Sequence, residues 1–261
     1  MTALIFDCDG VLADTEQFGH LRAFNQLFDE EGLGVQWSVE DYAEKVKSGG
    51  GKERLKSILN DSFLAEAGLS KDPDAVDAMV ARWHKRKTQI YTDLVGAGVM
   101  PGRPGIKRIV EEALAASWDL AVASTSAEPA VRAVLRYAVG EELSAEFSVF
   151  AGDIVPAKKP APDIYLLALK DMKLDPHDVI VVEDSENGMR ASVAAGLPTV
   201  VTISTFTANE DFSPAALVVS NLGDPHAGEK TRVLSNPHHV DVVEYVTLEN
   251  LHHIIVGSRG E

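Results

Sequence analysis

The feature that most constrains the fold is an apolar segment near the start of the chain that ends in two aspartates. Residues 3–6 read Ala-Leu-Ile-Phe, Asp7 follows them directly, and Asp9 comes one residue later, before Gly10. A short run of large apolar residues is typical of a strand buried on both faces of a parallel sheet. Open parallel sheets carry their sites at the carboxyl ends of the strands, so the two carboxylates are predicted to lie at such a site.

The two aspartates pose an electrostatic problem. Alternate residues of an extended chain point to the same side, so Asp7 and Asp9 converge if the chain stays extended through Cys8. Two like charges at close range raise the pKa of one carboxyl unless a cation joins them. The pattern therefore indicates either a metal site or an acid/base pair. Cys8 itself is interpreted as a small buried hydrophobe that points away from the aspartates.

Length and composition narrow the class of protein. The chain has 261 residues, 45% of them hydrophobic, which allows one large domain or two smaller ones. The net charge of −16 argues against a broad surface for nucleic acid or for an anionic membrane. The single cysteine excludes an internal disulfide and suggests a reducing compartment. No apolar run approaches membrane-spanning length, and the early first strand leaves no room for a signal peptide. We therefore expect a cytoplasmic protein, or one of the plastid stroma if a transit peptide was removed.

Hydrophobic spacing predicts the organisation of the chain. After residue 14 apolar residues recur at helical spacing, with a first helix through Phe18 to Phe28 and further helices at about 38–48, 51–67 and 73–95. Beyond residue 99 helices and strands alternate, which predicts a parallel, doubly wound sheet that also takes in the first strand. The prediction is an α/β core, Rossmann-like, formed by residues 1–14 and 100–261, with an inserted helical cap of residues 15–99.

The core elements can be placed approximately. Its later strands are predicted at 119–124, 147–151, 179–182 and 199–203, and its helices at about 106–117, 129–137, 162–172 and 185–195. The last part of the chain is less regular. Residues 221–239 are interpreted as a loop, 240–243 as a short strand and 248–256 as a closing helix.

Polar residues at other predicted strand ends and loops can join the two aspartates. They are Ser124 and Thr125 after one strand, Lys159 in a loop before a proline, and Glu183 and Asp184 after another strand. Each alone is a weak signal, because such residues more often cap helices or are solvated. Together they place carboxylates, a hydroxyl and a lysine at one edge of one sheet. That combination suits a divalent cation and a phosphate.

Phosphoryl transfer is the chemistry that these residue types favour. Magnesium prefers hard oxygen ligands, often a few carboxylates with phosphate and water, and Asp7 and Asp184 can supply the carboxylates. The metal, Lys159, the Ser124 hydroxyl and loop amides would neutralise the phosphoryl oxygens. A carboxylate can accept the phosphoryl group as an aspartyl phosphate. A second aspartate can protonate the leaving oxygen and then deprotonate water.

On these motifs the chain resembles the haloacid dehalogenase-like superfamily of phosphohydrolases. The run Asp7-Cys8-Asp9-Gly10-Val11 matches its first motif, and the second, third and fourth follow in order at Ser124, at Lys159 and at Glu183-Asp184. The resemblance implies that Asp7 is the nucleophile and a Mg²⁺ ligand. It implies that Asp9 is the general acid/base and binds the metal through its main-chain carbonyl.

The same resemblance implies roles for the other motif residues. Ser124 and Lys159 hold the phosphoryl group, together with loop amides near Gly10 and Thr125. Asp184 ligates Mg²⁺, with Glu183 beside it, directly or through water.

The inserted cap narrows the resemblance. A helical insert between the first two motifs is typical of the class related to β-phosphoglucomutase and phosphoglycolate phosphatase. Residues 15–25, 49–54 and 204–212 resemble the corresponding segments of CbbY-like proteins, whereas about 224–239 have no clear counterpart there. CbbY-type enzymes dephosphorylate xylulose 1,5-bisphosphate, so the resemblance implies a small phosphorylated sugar as substrate and Mg²⁺ as cofactor.

Five side chains of the predicted cap are candidate substrate ligands. Glu16 and His20 lie one turn apart, where they can hydrogen-bond sugar hydroxyls or help position the acid/base. Lys47, Lys52 and Arg54 can reach a second phosphate. The alternative for each of the five is a solvated helix face.

Three functions remain open on the sequence alone. The first is a Mg²⁺-dependent sugar-phosphate phosphatase. The second is a phosphomutase like β-phosphoglucomutase, which uses the same Asp7 and Asp9 but returns the phosphoryl group to a sugar. The third is a non-catalytic, ligand-sensing relative, against which the intact set of motif residues argues. One sheet and a small cap suffice for a monomer, and we expect a monomer that binds neither nucleic acid nor membranes.

Overall fold

The computed structural model describes residues 1–48, 50–98, 100 and 102–258. The chain divides into two compact units, a sheet unit of Met1–Asp14 with Pro101–Glu261 and a helical unit of Thr15–Met100. Two predicted boundaries lie outside the described residues. They are Gly49, where one CbbY-like segment begins, and Val99, where the predicted cap ends. That the helical unit acts as a cap stays a prediction.

The sheet unit is built on a seven-stranded sheet in the order β3-β2-β1-β4-β5-β6-β7. The strands are β1 Ala3–Phe6, β2 Asp119–Ser124, β3 Phe147–Ala151, β4 Val179–Glu183, β5 Thr199–Thr202, β6 Leu217–Val219 and β7 Val233–Ser235. Strands β1 to β6 pair in parallel, and β7 is antiparallel to β6. All of β1 is buried between β2 and β4, which explains its unbroken apolar run.

The helical unit opens with a π-helical turn, Glu16–His20. Its helices are α1 Leu21–Glu30, α2 Val39–Lys45, α3 Gly51–Lys56, α4 Asp61–Glu66 and α5 Pro73–Gly96. The prediction of one continuous helix over 51–67 is wrong, because this segment forms the two helices α3 and α4. Asn60 starts the second of them, since its side chain accepts a hydrogen bond from the Phe63 amide at 2.9 Å. Trp37 and Trp83 are buried, and Trp37 packs on Phe24, so these aromatics build the core of the unit.

Helices cover the sheet in the pattern predicted for a doubly wound fold. They are α6 Ile106–Ala115, α7 Glu128–Val139, α8 Glu141–Ser144, α9 Asp163–Met172, α10 Glu186–Ala194 and α11 Leu248–Gly257, with a 3₁₀ turn at Pro176–Asp178. One buried cluster joins α9 and α10 to alternate residues of β1, β2 and β4. Since every residue of β1 is buried, the opposite face is covered as well. The predicted fold class is confirmed. None of the described helices is both long enough and apolar enough to span a membrane.

The end of the chain departs from the prediction. Strand β7 lies inside the segment interpreted as a loop, and the strand expected at 240–243 is absent from the part of the chain that the structure describes. All three residues of β7 are exposed, so no hydrophobic alternation marked it. Arg108 of α6 fixes this region, because its guanidinium donates to the carbonyls of Leu222, Gly223 and Val246 at 3.2, 3.1 and 2.7 Å.

Candidate active site

Four predicted site residues meet at the carboxyl ends of three neighbouring strands. Asp7 directly follows β1, Ser124 ends β2, Glu183 ends β4 and Asp184 comes next. Because β2, β1 and β4 are adjacent and parallel, these ends share one edge of the sheet. All four side chains are buried or nearly so, which is unusual for groups of this polarity unless they are paired.

Lys159 supplies a buried positive charge to this cluster. It lies in the loop between β3 and α9, and its Nζ donates to Asp7 Oδ1 at 2.7 Å, to Glu183 Oε1 at 2.6 Å and to the Ala123 carbonyl at 2.8 Å. Burial alone would lower the pKa of the ammonium group, but the charges of Asp7 and Glu183 raise the pKa of Lys159 well above its usual value. Lys159 is therefore a fixed cation.

Glu183 is fully buried, and both of its carboxylate oxygens accept hydrogen bonds. Oε1 accepts from Lys159 and also from the Tyr165 hydroxyl at 2.6 Å, and Oε2 accepts from the Asp184 amide at 3.1 Å. The carboxylate lies against the start of α10, where a Cβ added to Gly188 would stand 2.0 Å from Oε1. Because Gly188 has no side chain, the Glu183 carboxylate can occupy the space beside it.

The negative charge around Asp7 exceeds the positive charge that Lys159 supplies. Burial raises its pKa most, Lys159 lowers it, and the charges of Glu183 and Asp9 raise it further, so that the pKa of Asp7 rises from 3.8 to about 7. Asp7, Glu183 and Asp184 each offer a carboxylate oxygen, and the three oxygens lie within 4.8 Å of one another. This set of hard oxygen donors with surplus negative charge fits a divalent cation such as Mg²⁺.

The loop after Asp7 is shaped by Gly10. Its φ is +81°, and a Cβ there would stand 2.0 Å from Asp184 Oδ2, so glycine is required both for the backbone and for the neighbouring carboxylate. The Gly10 amide donates to the Ala13 carbonyl at 3.0 Å. This hydrogen bond closes a turn in the loop whose amides are predicted to meet a phosphoryl oxygen.

Asp9 is linked to the loop after β2. The Ser126 hydroxyl donates to Asp9 Oδ2 at 2.5 Å, and the Ser126 amide donates to Ser124 Oγ at 3.1 Å. Thr125, the other predicted residue of this loop, is half-buried between them. Ser126 was not among the predicted site residues, although it directly follows Ser124 and Thr125 in a run of three hydroxyl side chains that could have indicated it. Cys8 is buried, as expected.

Two of the predicted cap residues pair with each other inside the helical unit. The Arg54 guanidinium donates to both oxygens of Glu16, at 2.9 and 3.2 Å, and the Tyr42 hydroxyl bonds to both partners. All three side chains are buried. The charge of Arg54 is therefore balanced by Glu16 within the unit, through a bidentate pair.

His20 belongs to a second buried cluster of the helical unit. Its Nδ1 lies 2.5 Å from Lys87 Nζ, and its ring stacks on Tyr91 with 4.1 Å between centroids. Lys87, which the sequence did not single out, is buried with its ammonium 4.6 Å from the Phe24 ring centroid. Lys87 lies on α5 at the same helical spacing as the buried apolar residues of that helix. Its charge was therefore the one sequence feature that set it apart from them.

The other two predicted cap residues, Lys47 and Lys52, differ in their exposure. Lys47, two residues after the end of α2, is exposed and pairs with Glu44 at 2.7 Å. Lys52 is half-buried in the first turn of α3.

Comparison with known proteins places the chain in a family. The model of the haloacid dehalogenase-like hydrolases matches residues 1–196. A CBBY-like protein of Arabidopsis thaliana is 44% identical over 224 residues, which cover 86% of this chain and 70% of that protein. The plasmid-encoded protein CbbY of Cupriavidus necator is 44% identical over 226 residues, 86% of this chain and 87% of that protein.

Solved structures agree with this placement. CbbY from Rhodobacter sphaeroides in complex with phosphate superposes with a TM-score of 0.75 at 36% identity, covering 85% of this chain and 95% of that one. A mutant of the same CbbY in complex with xylulose 1,5-bisphosphate matches with the same TM-score of 0.75. A β-phosphoglucomutase from Clostridium difficile, at 22% identity and a TM-score of 0.64, shares the fold.

The chain belongs to the haloacid dehalogenase-like hydrolases, and within them to the CbbY-like proteins. It is an enzyme of the phosphatase class, as the motifs predicted.

Proposed function

We propose that this chain is a Mg²⁺-dependent phosphatase that hydrolyses a small phosphorylated sugar through an aspartyl phosphate on Asp7. The observation that carries the proposal is the buried cluster in which Lys159 bonds both Asp7 and Glu183. A carboxylate held beside a fixed cation, with surplus negative charge around it, suits a nucleophile that attacks a phosphoryl group next to a metal ion.

Asp7 and Asp184 would hold Mg²⁺ through carboxylate oxygens, and Asp9 through its main-chain carbonyl. Glu183 lies beside them, and because its oxygens already accept bonds from Lys159, Tyr165 and an amide, we propose that it acts through those partners or through water. When bound, Mg²⁺ neutralises charge on the phosphoryl oxygens and favours the ionised form of Asp7.

The chain's own residues then perform two displacements. A carboxylate oxygen of Asp7 attacks phosphorus, and the bond from phosphorus to the sugar oxygen breaks while Asp9 donates a proton to that oxygen. In the second step Asp9 takes a proton from water as the water oxygen attacks phosphorus, and the bond to Asp7 breaks to release phosphate. Lys159 and Ser124 neutralise and orient the phosphoryl oxygens, and Ser126 orients the Asp9 carboxyl.

The substrate we propose is xylulose 1,5-bisphosphate. The support is the likeness to a CbbY, 36% identical over 85% of this chain, that was crystallised with this sugar bisphosphate. We also propose that the helical unit selects the substrate, with Glu16, His20, Lys47, Lys52 and Arg54 as its contacts.

Phosphate release from a substrate panel tests this proposal. We expect the chain, with Mg²⁺, to hydrolyse xylulose 1,5-bisphosphate with a kcat/KM at least about tenfold above that for phosphoglycolate or a hexose 1-phosphate. Asp7→Asn should lower kcat by at least about 10³-fold. Asp211→Asn is the matched control, since the Asp211 side chain is 58% exposed and lies in the same unit.

Three results would count against the proposal. They are no phosphate release from any substrate, full activity of Asp7→Asn, and a preference for another substrate on the panel. Formation of a hexose 6-phosphate from the 1-phosphate, in the presence of a catalytic bisphosphate, would identify a mutase instead.

A further inference from the structure

Tyr165 reaches the active site from the hydrophobic core. It lies in the first turn of α9, six residues after Lys159, and its ring is fully buried in the cluster that packs α9 and α10 against the sheet. Its hydroxyl donates to Glu183 Oε1 at 2.6 Å. The Lys159 ammonium lies 5.0 Å from the centre of its ring.

The hydroxyl of Tyr165 needs an explanation. Packing alone would be satisfied by phenylalanine, which has no polar group to bury. The hydroxyl instead donates to the same oxygen that accepts from Lys159, so two donors share Oε1 of Glu183. The second oxygen of Glu183 is held by the Asp184 amide at 3.1 Å. Both oxygens of the carboxylate are thus held in place. Of the two donors at Oε1, Lys159 is charged and also bonds Asp7, whereas Tyr165 is neutral.

Removing one of two donors from a shared oxygen strengthens the other. Without the hydroxyl, the full charge of Oε1 would act on Lys159 and draw its ammonium toward Glu183. The bond from Lys159 to Asp7, 2.7 Å long in the structure, would then weaken. A lysine drawn back in this way would also reach less far toward a phosphoryl group beside Asp7.

We propose that Tyr165 is a positioning residue for phosphoryl transfer: its hydroxyl shares Oε1 of Glu183 and so keeps the Lys159 ammonium between Glu183 and Asp7. The inference rests on the proposed function, because that function assigns Lys159 to the phosphoryl group. Tyr165 touches neither substrate nor metal in this role, and it acts only through Glu183 and Lys159.

The test compares Tyr165→Phe with Tyr137→Phe, an identical chemical change at a tyrosine that is 40% exposed. In Tyr165→Phe we expect kcat to fall about tenfold with KM changed less than about twofold, because a displaced cation matters most when phosphoryl charge spreads in the transition state. The dissociation constant of orthovanadate, measured by calorimetry with Mg²⁺ present, should rise about tenfold. The Mg²⁺ concentration for half-maximal activity should stay unchanged, and so should every constant of Tyr137→Phe.

A second pair of variants tests the route through Glu183. Glu183→Gln removes the charge that the hydroxyl shares, so adding Tyr165→Phe to Glu183→Gln should change kcat less than about twofold. An effect of Tyr165→Phe that is equally large in both backgrounds would overturn the inference.

Other results would also overturn it. They are unchanged kcat and vanadate binding in Tyr165→Phe, a shift in the Mg²⁺ requirement with vanadate binding unchanged, and a Tyr165→Phe protein that does not fold. Vanadate binding needs no turnover, so it tests Tyr165 even if the wild type releases no phosphate, a result that would bear on the proposed function alone.

Discussion

Replacing Gly188 with alanine should destabilise the protein, although alanine is the better helix former. Gly188 is the third residue of α10, where alanine would normally add up to about 1 kcal/mol to the free energy of unfolding. A Cβ at this position would stand 2.0 Å from Oε1 and 2.1 Å from Oε2 of Glu183. Carbon and oxygen atoms do not approach so closely without a bond, so the carboxylate has to move.

The cost follows from what the Glu183 carboxylate holds. It accepts hydrogen bonds from Lys159, from Tyr165 and from the Asp184 amide, and it is fully buried. Disrupting a buried ion pair costs about 3–5 kcal/mol. After subtraction of the helix propensity gained, the free energy of unfolding should fall by about 2–4 kcal/mol.

Urea unfolding followed by circular dichroism measures this difference. The matched control is Gly257→Ala, the last residue of α11, where an added Cβ meets nothing within 4 Å. The control should equal the wild type or exceed it by up to about 1 kcal/mol. Gly188→Ala should also lose phosphatase activity, since Lys159 is held by the displaced carboxylate. A Gly188→Ala protein as stable as the control would refute the placement of Glu183 beside α10.

Three other substitutions test the account. Without divalent cations, Asp7→Asn should become more stable than the wild type as pH rises from about 4 to 7, by up to about 4 kcal/mol. The pKa of the Asp7 carboxyl is raised from 3.8 to about 7 in the folded protein, so its buried carboxyl destabilises the wild type over that pH range. Arg54→Met should lower the free energy of unfolding by about 3–5 kcal/mol, because it leaves the buried Glu16 carboxylate without its guanidinium. Gly10→Ala should lower kcat by about 100-fold, because its Cβ displaces Asp184.

Each of these has a measurement that can contradict it. Parallel urea stability curves for Asp7→Asn and wild type from pH 4 to pH 8 would contradict the first. The second is contradicted if Arg54→Met is as stable as wild type, and adding Glu16→Gln to it should restore part of the loss. For the third, Gly68→Ala is the control, because Gly68 has φ +64° with nothing near its Cβ, and equal activity of both alanine variants would contradict the role of Gly10.

The sequence predicted those site residues whose signal is local. Asp7, Ser124 and Glu183 each end or follow an apolar run, and parallel strands bring such ends together without further information. Lys159 was predicted from its place in a loop before a proline and from the match of that loop to a family motif, and its three bonds to the cluster appear only in the structure.

What the sequence did not predict depends on contacts between distant segments. Tyr165 looks like an ordinary core residue of α9, and only the fold brings its hydroxyl to Glu183. Glu16 and Arg54 were each predicted to contact a substrate, and only the fold shows that they also pair with each other although they lie 38 positions apart in the sequence. Strand β7 has no apolar face, so neither periodicity nor composition marked it.

Chemical trapping identifies the residue that receives the phosphoryl group, which we propose to be Asp7. The wild type is quenched in acid during turnover of xylulose 1,5-bisphosphate with Mg²⁺, treated with borohydride, which reduces an acyl phosphate to an alcohol, and digested for peptide mass spectrometry. We expect homoserine in place of aspartate at position 7, and unmodified Asp9 and Asp184. Phosphate release with position 7 unmodified, or with homoserine at another aspartate, would contradict it.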